Sequence, residues 1–203
     1  MRLRDLDMSP SHPWSSTAIP RAWIIEAISD RSYNSLIMKK SISTDQTPAN
    51  IAKVMDLLAQ TPEKLSAMNR LLSTEQLHLN LGRGERSFTE VLAHLINSEA
   101  RSSEAIYLAL LTDEPLIPDI HSEREWGKLL RFDLLEFNDL LAYFKLRRIV
   151  LLRVLSELKE EDWSHRIREE GKQRKESVYW RARTIAMHEL DHLAWLEMKT
   201  GSK

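Results

Sequence analysis

The 203-residue sequence contains no cysteine. This absence excludes disulfide bonds, a thiolate nucleophile and zinc sites built from cysteine, so any metal ion would have to be held by histidine and carboxylate side chains. Glycine is also scarce, with five residues in the chain, and segments with the alternating pattern of strands are few. These absences favour a helical protein without sulfur chemistry of its own.

Neither a strong net charge nor a long apolar run is present. Twenty-nine basic residues against thirty acidic ones give a formal net charge of −1, which argues against general electrostatic binding to nucleic acid or to an anionic membrane. No run of about 18 apolar residues occurs, and the N-terminus lacks the apolar segment of a secretory signal. We therefore expect a cytoplasmic protein with neither nucleic acid nor a membrane as its partner.

Apolar residues recur at helical spacing from Thr47 onward and predict four long helices, of which the first starts at Pro48. A kink or restart is expected at Pro62, because proline has no N–H to donate within the helix. The second helix starts at a capping box, residues 87–90, in which a serine hydroxyl and a glutamate carboxylate each accept a backbone N–H. It is expected to end near Leu111.

Two further helices are predicted over residues 133–159 and 177–199. The residues expected in the core from helix three are Leu134, Phe137, Leu141, Phe144, Ile149, Leu152 and Leu155. The connection over residues 112–133 is long enough to cross a bundle, so helices two and three need not be adjacent and antiparallel. Residues 164–176 are almost all charged or polar and are expected to form a solvated loop. The pattern predicts an all-α four-helix bundle with a long connection between helices two and three.

The chain is expected to divide into an N-terminal extension, residues 1–46, and a bundle domain, residues 47–203. The first twenty residues hold three prolines and four serines and predict no regular structure, whereas residues 21–30 could form one short helix. The extension is expected to be poorly ordered or loosely packed. Residues 1–37 are expected to lie outside the fold or to result from a wrongly assigned start codon; the alternative is an arm packed on the domain surface.

Basic residues cluster around the start of the fourth helix and alternate with glutamates. They are Lys172, Arg174, Lys175, Arg181 and Arg183. We interpret the cluster as a solvated surface. Arg181 lies two turns before His188 on the same helical face, where it could pair with a carboxylate or meet an anionic substrate.

Two histidines four residues apart, His188 and His192, project from one face of the fourth helix and are near enough to bind one metal ion. His94 has a similar position on the second helix, flanked by Val91 and Leu95. Each of the three could instead be a partly buried core histidine satisfied by hydrogen bonds. Their presence together on helices that share a core favours a metal site.

The pentapeptide from His188 to His192 also matches H-E-x-x-H, the signature of zinc proteases in which the glutamate is the general base. The extended form of that signature needs glycine at 195 and histidine at 198, where this chain has Trp195 and Met198. A protease also needs a strand edge to align its peptide substrate, and no convincing strand is present. An H-E-x-x-H metalloprotease is therefore kept as a minor alternative.

Three stretches resemble the DinB-like superfamily of metal-binding four-helix bundles, which includes the YfiT-type hydrolases. Residues 87–95, SFTEVLAHL, resemble its S-x-x-E-x-x-x-H-L stretch, residues 158–163 resemble its end of helix three, and residues 187–194, MHELDHLA, resemble its second motif. The resemblance covers about residues 48–200. It implies a three-histidine site formed by His94, His188 and His192, with water at the remaining positions.

Such a site suits zinc, nickel, iron or manganese, and its open positions are typical of a catalytic rather than a structural centre. It would activate water or a low-molecular-weight thiol, as in a hydrolase or a thiol S-transferase acting on a small molecule. Glu189 and Asp191 are candidates for orienting an imidazole or for proton transfer. The alternative is a stress-associated bundle that binds a metal or small ligand without turnover, or a homodimer that functions through the exposed faces of its helices.

Overall fold

The computed structural model of the protein describes residues 42–201, apart from the side chains of residues 122–124. Four long helices organise this part of the chain: α1 (Pro48–Leu71), α2 (Phe88–Leu111), α3 (Phe137–Ser156) and α4 (Val178–Gly201). The predicted all-α four-helix bundle is therefore confirmed. The helix expected within residues 21–30 lies outside the described residues.

The helices pack so that α1 and α2 each contact both α3 and α4. Buried side chains from all four helices form two apolar clusters, one along the half of the bundle that contains Leu58, Ile106 and Tyr179, the other along the half that contains Leu65, Leu92 and Phe144. Within residues 42–201, no helix is long and apolar enough to cross a membrane.

The segments between the long helices are more structured than the sequence indicates. A short helix, Thr74–His78, follows α1 within the predicted turn. The connection before α3 contains a π-helical turn, Ser122–Gly127, a helical turn, Lys128–Leu130, and a 3₁₀ turn, Phe132–Leu134. Because this 3₁₀ turn ends at an extended Leu135, α3 begins four residues later than the predicted start at 133.

Side-chain hydrogen bonds cap the N-termini of α1 and α2. The Thr47 hydroxyl accepts the backbone N–H of Asn50 at 3.2 Å. At α2 the Ser87 hydroxyl accepts the N–H of Glu90 at 3.1 Å, and the Glu90 carboxylate accepts the N–H of Ser87 at 2.7 Å. The predicted capping box is thus confirmed, and it fixes the register of the helix that carries His94.

Helix α1 continues through Pro62 as one 24-residue helix, so the predicted restart at this residue is wrong. Proline removes the N–H that would bond to the carbonyl of Leu58, four residues earlier. The Nη1 of Arg148, on α3, donates to that carbonyl at 3.0 Å instead. A buried guanidinium therefore replaces the missing donor.

A small sheet crosses one end of the bundle, and the expectation of a purely solvated loop over residues 164–176 is wrong. Strand β2 (Arg166–Glu169) pairs in parallel with β1 (Leu116–Ile117) and antiparallel with β3 (Glu176–Ser177). Ile167 and Glu169 are buried while Arg166 and Arg168 are exposed. The charged composition does not look like strands because an inward position of β2 and one of β3 each hold a buried glutamate, Glu169 and Glu176.

Residues 42–46, the described end of the predicted extension, contact the bundle. Ile42 is buried, and its carbonyl accepts hydrogen bonds from Arg183 at 2.8 and 3.0 Å. The Tyr179 hydroxyl donates to the carbonyl of Ser43 at 2.7 Å. These bonds attach the chain to α4 before α1 begins, and they place Arg183 against backbone rather than in the predicted solvated cluster.

Buried ion pairs attach the sheet to the helices. The carboxylate of Glu169 forms ion pairs with Arg101 of α2 at 2.6 Å, with Arg181 of α4 at 3.0 Å and with Lys172 at 3.0 Å. Arg181 also forms an ion pair with Glu176. Arg181 is buried, so its assignment to a solvated surface is wrong, and its expected pairing with a carboxylate is confirmed. Burial alone would raise the pKa of Glu169, but the hydrogen bonds from Lys172, Arg181 and Arg101 outweigh it and lower that pKa to about 2.

The variant Glu169→Gln should lower the free energy of unfolding by about 2 kcal/mol at pH 7, because Arg181 and Arg101 lose a charged acceptor. The folded-state pKa lies below the unfolded value, so this stabilisation is present above about pH 4.5 and is lost as the pH falls toward 2. Urea unfolding between pH 7 and 3 should therefore show a shallower pH dependence in the variant. The exposed Glu170→Gln is the control, and equal slopes for wild type and Glu169→Gln would contradict the prediction.

Candidate metal site

Three imidazoles from two helices meet at one point between α2 and α4. The Nε2 atom of His94 lies 3.0 Å from the Nε2 atoms of both His188 and His192, and the latter two are 3.2 Å apart. All three side chains are half-buried. The structure thus places the three predicted histidines together, with one nitrogen of each directed at the others.

This arrangement is produced by helix geometry and packing. His188 and His192 are one turn apart on α4, which brings their rings to the same face. Apolar residues on the same seam, including Leu95 of α2 and Ile185 of α4, are buried and hold the two helices together. The position of His94 opposite the pair follows from this packing.

The nitrogen spacing fits a divalent cation. Two nitrogens, each about 2.1 Å from one metal ion, are about 3.0 Å apart at a right angle and about 3.4 Å apart at the tetrahedral angle. The three observed separations, 3.0, 3.0 and 3.2 Å, are close to the first of these values. A neutral imidazole carries one N–H, and in the tautomer protonated at Nδ1 its Nε2 offers a lone pair that a cation can share.

The electrostatics also favour a neutral His192. The pKa of His192 is lowered to about 4, first by burial and then by the positive charges of His188, His94 and Arg86, while Asp191 opposes the shift. His192 is therefore neutral at pH 7, which is the form of imidazole that binds a metal ion.

The two acidic candidates have different surroundings. Glu189 is 1% exposed, and its two carboxylate oxygens accept hydrogen bonds from Arg148 of α3, one of them at 3.0 Å. Asp191 is exposed and raises the pKa of His192. Asp191 thus acts on a ring of the histidine cluster through its charge, whereas Glu189 is engaged in the core beside it.

Sequence reasoning did not identify the second buried ion pair of this region. The carboxylate of Glu99 on α2 accepts a hydrogen bond from the Nε of Arg147 at 3.0 Å. Glu99 is 1% exposed. Burial is the main cause of its raised pKa, which Arg147 and Arg148 partly offset. In the sequence, the sign of such a pair is a charged residue at an inward position of a helix. Only the packing of the helices shows which of these charged residues are buried.

A cavity of about 380 Å³ adjoins the cluster and is lined by His94 together with Arg86, Asn97 and Lys128. A second cavity of about 210 Å³ lies along the seam between α2 and α4 and is lined by His188, Glu99 and Thr184. The size of the first cavity suits a small molecule. The site therefore combines three converging imidazoles with an adjoining cavity.

A four-helix bundle with three histidines converging between two of its helices defines the class of protein. The sequence profile described as the DinB superfamily matches residues 57–196. The chain belongs to the DinB superfamily, as its resemblance to the DinB-like motifs predicts.

Two solved structures share the fold. YfiT from Bacillus subtilis, described as a probable metal-dependent hydrolase with an unusual four-helix bundle topology, matches 79% of this chain and 93% of its own at 16% identity and a TM-score of 0.68. A mycothiol-dependent maleylpyruvate isomerase matches 71% of this chain and 59% of its own at 16% identity and a TM-score of 0.53. No curated protein sequence matches the chain.

Proposed function

We propose that the protein is a metal-dependent enzyme in which His94, His188 and His192 bind one divalent ion. The observation that carries the proposal is the convergence of three Nε2 atoms within 3.0–3.2 Å of one another. A donor set of three imidazoles suits zinc, nickel, iron or manganese. A DinB-superfamily fold supports the proposal, since the similar YfiT structure is described as metal-dependent.

The proposed reaction uses water or a low-molecular-weight thiol to attack a small-molecule substrate. When bound, a divalent ion supplies Lewis-acid chemistry that lowers the pKa of water or of a thiol. Hydrolysis is supported by the likeness to YfiT, and thiol chemistry by the likeness to a mycothiol-dependent isomerase. Both belong to the same proposal, because one site can activate either nucleophile.

The residues of the chain divide the remaining tasks. The three histidines direct one nitrogen each at a common point. The exposed carboxylate of Asp191, whose charge acts on His192, takes up or releases a proton in the proposed reaction. Glu189 and Arg148 hold α4 against α3, so that His188 keeps its orientation. The adjoining cavity, about 380 Å³ in volume, admits a small-molecule substrate beside His94.

The test is turnover by the full chain after removal of metal and reloading with zinc, nickel, manganese or iron(II). Thiol transfer is followed as conjugation of cysteine to chlorodinitrobenzene or to its carboxylate analogue chlorodinitrobenzoate, and hydrolysis as release of nitrophenol from nitrophenyl acetate or from the monoester nitrophenyl succinate. At least one loaded form should exceed the metal-free protein by about 100-fold or more, and His188→Ala should lose that gain. Metal binding without turnover of either probe would favour the non-catalytic binding bundle, and turnover independent of metal would refute the proposal. Homodimerisation and a cytoplasmic location stay predictions.

A further inference from the structure

The cavity beside His94 has a distinct electrostatic character. Of its charged side chains other than the imidazole, Arg86, Lys128 and Arg131 are cationic, whereas Glu90 and Asp133 are anionic. Among the side chains that the structure describes, the wall therefore has one more positive than negative charge. A concave site with an excess of one sign of charge favours ligands of the opposite sign.

Both carboxylates are already engaged. Glu90 accepts the backbone N–H of Ser87 at 2.7 Å, within the capping box of α2. Asp133 accepts two hydrogen bonds from Arg131, each at 3.1 Å. These bonds orient the two carboxylates toward Ser87 and Arg131. Arg86, which precedes α2, and Lys128, in the connection to α3, both line the cavity and contribute positive charge to it.

A buried amide gives an independent indication of a ligand. Asn97 lines the same cavity one helical turn after His94 and is 5% exposed. Its Oδ1 atom is buried and accepts no hydrogen bond from the residues that the structure describes. A buried polar atom without a partner is costly, and a ligand with an O–H or N–H group would satisfy it.

We infer that this cavity binds a small oxyanion, a carboxylate or a phosphate ester, whose hydroxyl or amino group donates a hydrogen bond to Asn97. Arg86 and Lys128 attract the anionic end. The inference rests on the proposed function, because the oxyanion would be the substrate of the three-histidine site. It narrows that function to substrates with a negative charge and a neighbouring hydrogen-bond donor.

Isothermal titration calorimetry on the full chain tests the inference with three probes: lactate, glycerol phosphate and lactamide. Lactamide is the uncharged analogue of lactate. At least one oxyanion should bind about tenfold or more tightly than lactamide at low salt, and the tighter of the two identifies the anionic group. Equal affinities for lactamide and both oxyanions would overturn the inference.

Variants of the cationic residues locate the binding site. Arg86→Gln should weaken oxyanion binding about tenfold, and Lys128→Gln, a change at an exposed side chain, about threefold. Arg86→Lys keeps the charge and should retain most of the affinity. Lys53→Gln, an equal charge change on the exposed face of α1, should have no effect. Unchanged affinity in both Arg86→Gln and Lys128→Gln would overturn the inference.

The titrations are made with metal-free protein and repeated, for lactate and lactamide, after addition of one equivalent of zinc chloride. Selective oxyanion binding by the metal-free protein upholds the cavity assignment even where zinc fails to bind. Zinc binding without oxyanion selectivity overturns the cavity assignment and leaves the metal site standing. The two proposals can therefore fail separately.

Discussion

His94→Ala and His188→Ala should each abolish stoichiometric metal binding. The proposed site takes one ligand from α2 and two from α4, so either change leaves two imidazoles, from one helix or from both. Loss of one ligand should weaken binding by about 100-fold or more, since structural zinc sites derive about 10–16 kcal/mol from four ligands. Metal content is measured by elemental analysis of untagged protein after gel filtration, with all variants grown under the same metal supply.

The matched control for this experiment is His78→Ala. His78 is an exposed histidine, 3.2 Å from Glu136 and outside the cluster, so its loss should leave the metal content unchanged. Far-ultraviolet circular dichroism checks that the variants are folded. Absence of metal from the wild type, or its survival in both His94→Ala and His188→Ala, would refute the three-histidine site and return these residues to the role of core histidines.

Arg148→Met should lower the free energy of unfolding by about 3–5 kcal/mol, because it leaves a buried carboxylate without its counter-ion. Arg148 is 1% exposed and donates to both oxygens of Glu189 and to the Leu58 carbonyl. Its removal therefore leaves two buried acceptors on two other helices unpaired. It also removes a positive charge that lowers the pKa of Glu99.

Urea unfolding of the wild type and of Arg148→Met measures this effect. Arg153→Met, at an exposed position of the same helix, should change the stability by no more than about 0.5 kcal/mol. The double variant Arg148→Met/Glu189→Gln should recover part of the loss, because the remaining polar group is uncharged. A loss below about 1 kcal/mol for Arg148→Met would contradict the assignment of Arg148 as the link between α1, α3 and α4.

Short-range patterns made most of the helical fold predictable. The capping box at Ser87 depends on residues three positions apart, and the stripe of Phe137, Leu141 and Phe144 depends on a single helical period. The same period failed to separate the buried from the exposed face of α3, because apolar residues occur on both. Ile149 was expected in the core and is 64% exposed. Leu134 was also expected there and is 69% exposed, because it lies in the 3₁₀ turn before α3.

The charged residues show why the rest could not be predicted. Glu169 and Arg181 look like surface residues in the sequence, and only the pairing of β2 with β1 and β3 brings them together in a buried cluster. Arg148 likewise replaces the N–H that Pro62 lacks, across 86 positions of sequence. Contacts of this kind depend on how the helices pack, which no local pattern encodes.

The sequence by itself determined the helical class and the starts of α1 and α2, because each follows from spacings of a few residues. It also identified the three candidate ligands, through the spacing of His188 and His192 and the resemblance to the DinB-like motifs. The tertiary structure decided that the three imidazole nitrogens meet within 3.0–3.2 Å. It also decided that Glu189 faces Arg148 and that a cavity with cationic side chains opens beside His94. The physical reason is that convergence, burial and cavity shape are properties of packed helices, and they exist only once residues distant in the chain are in contact.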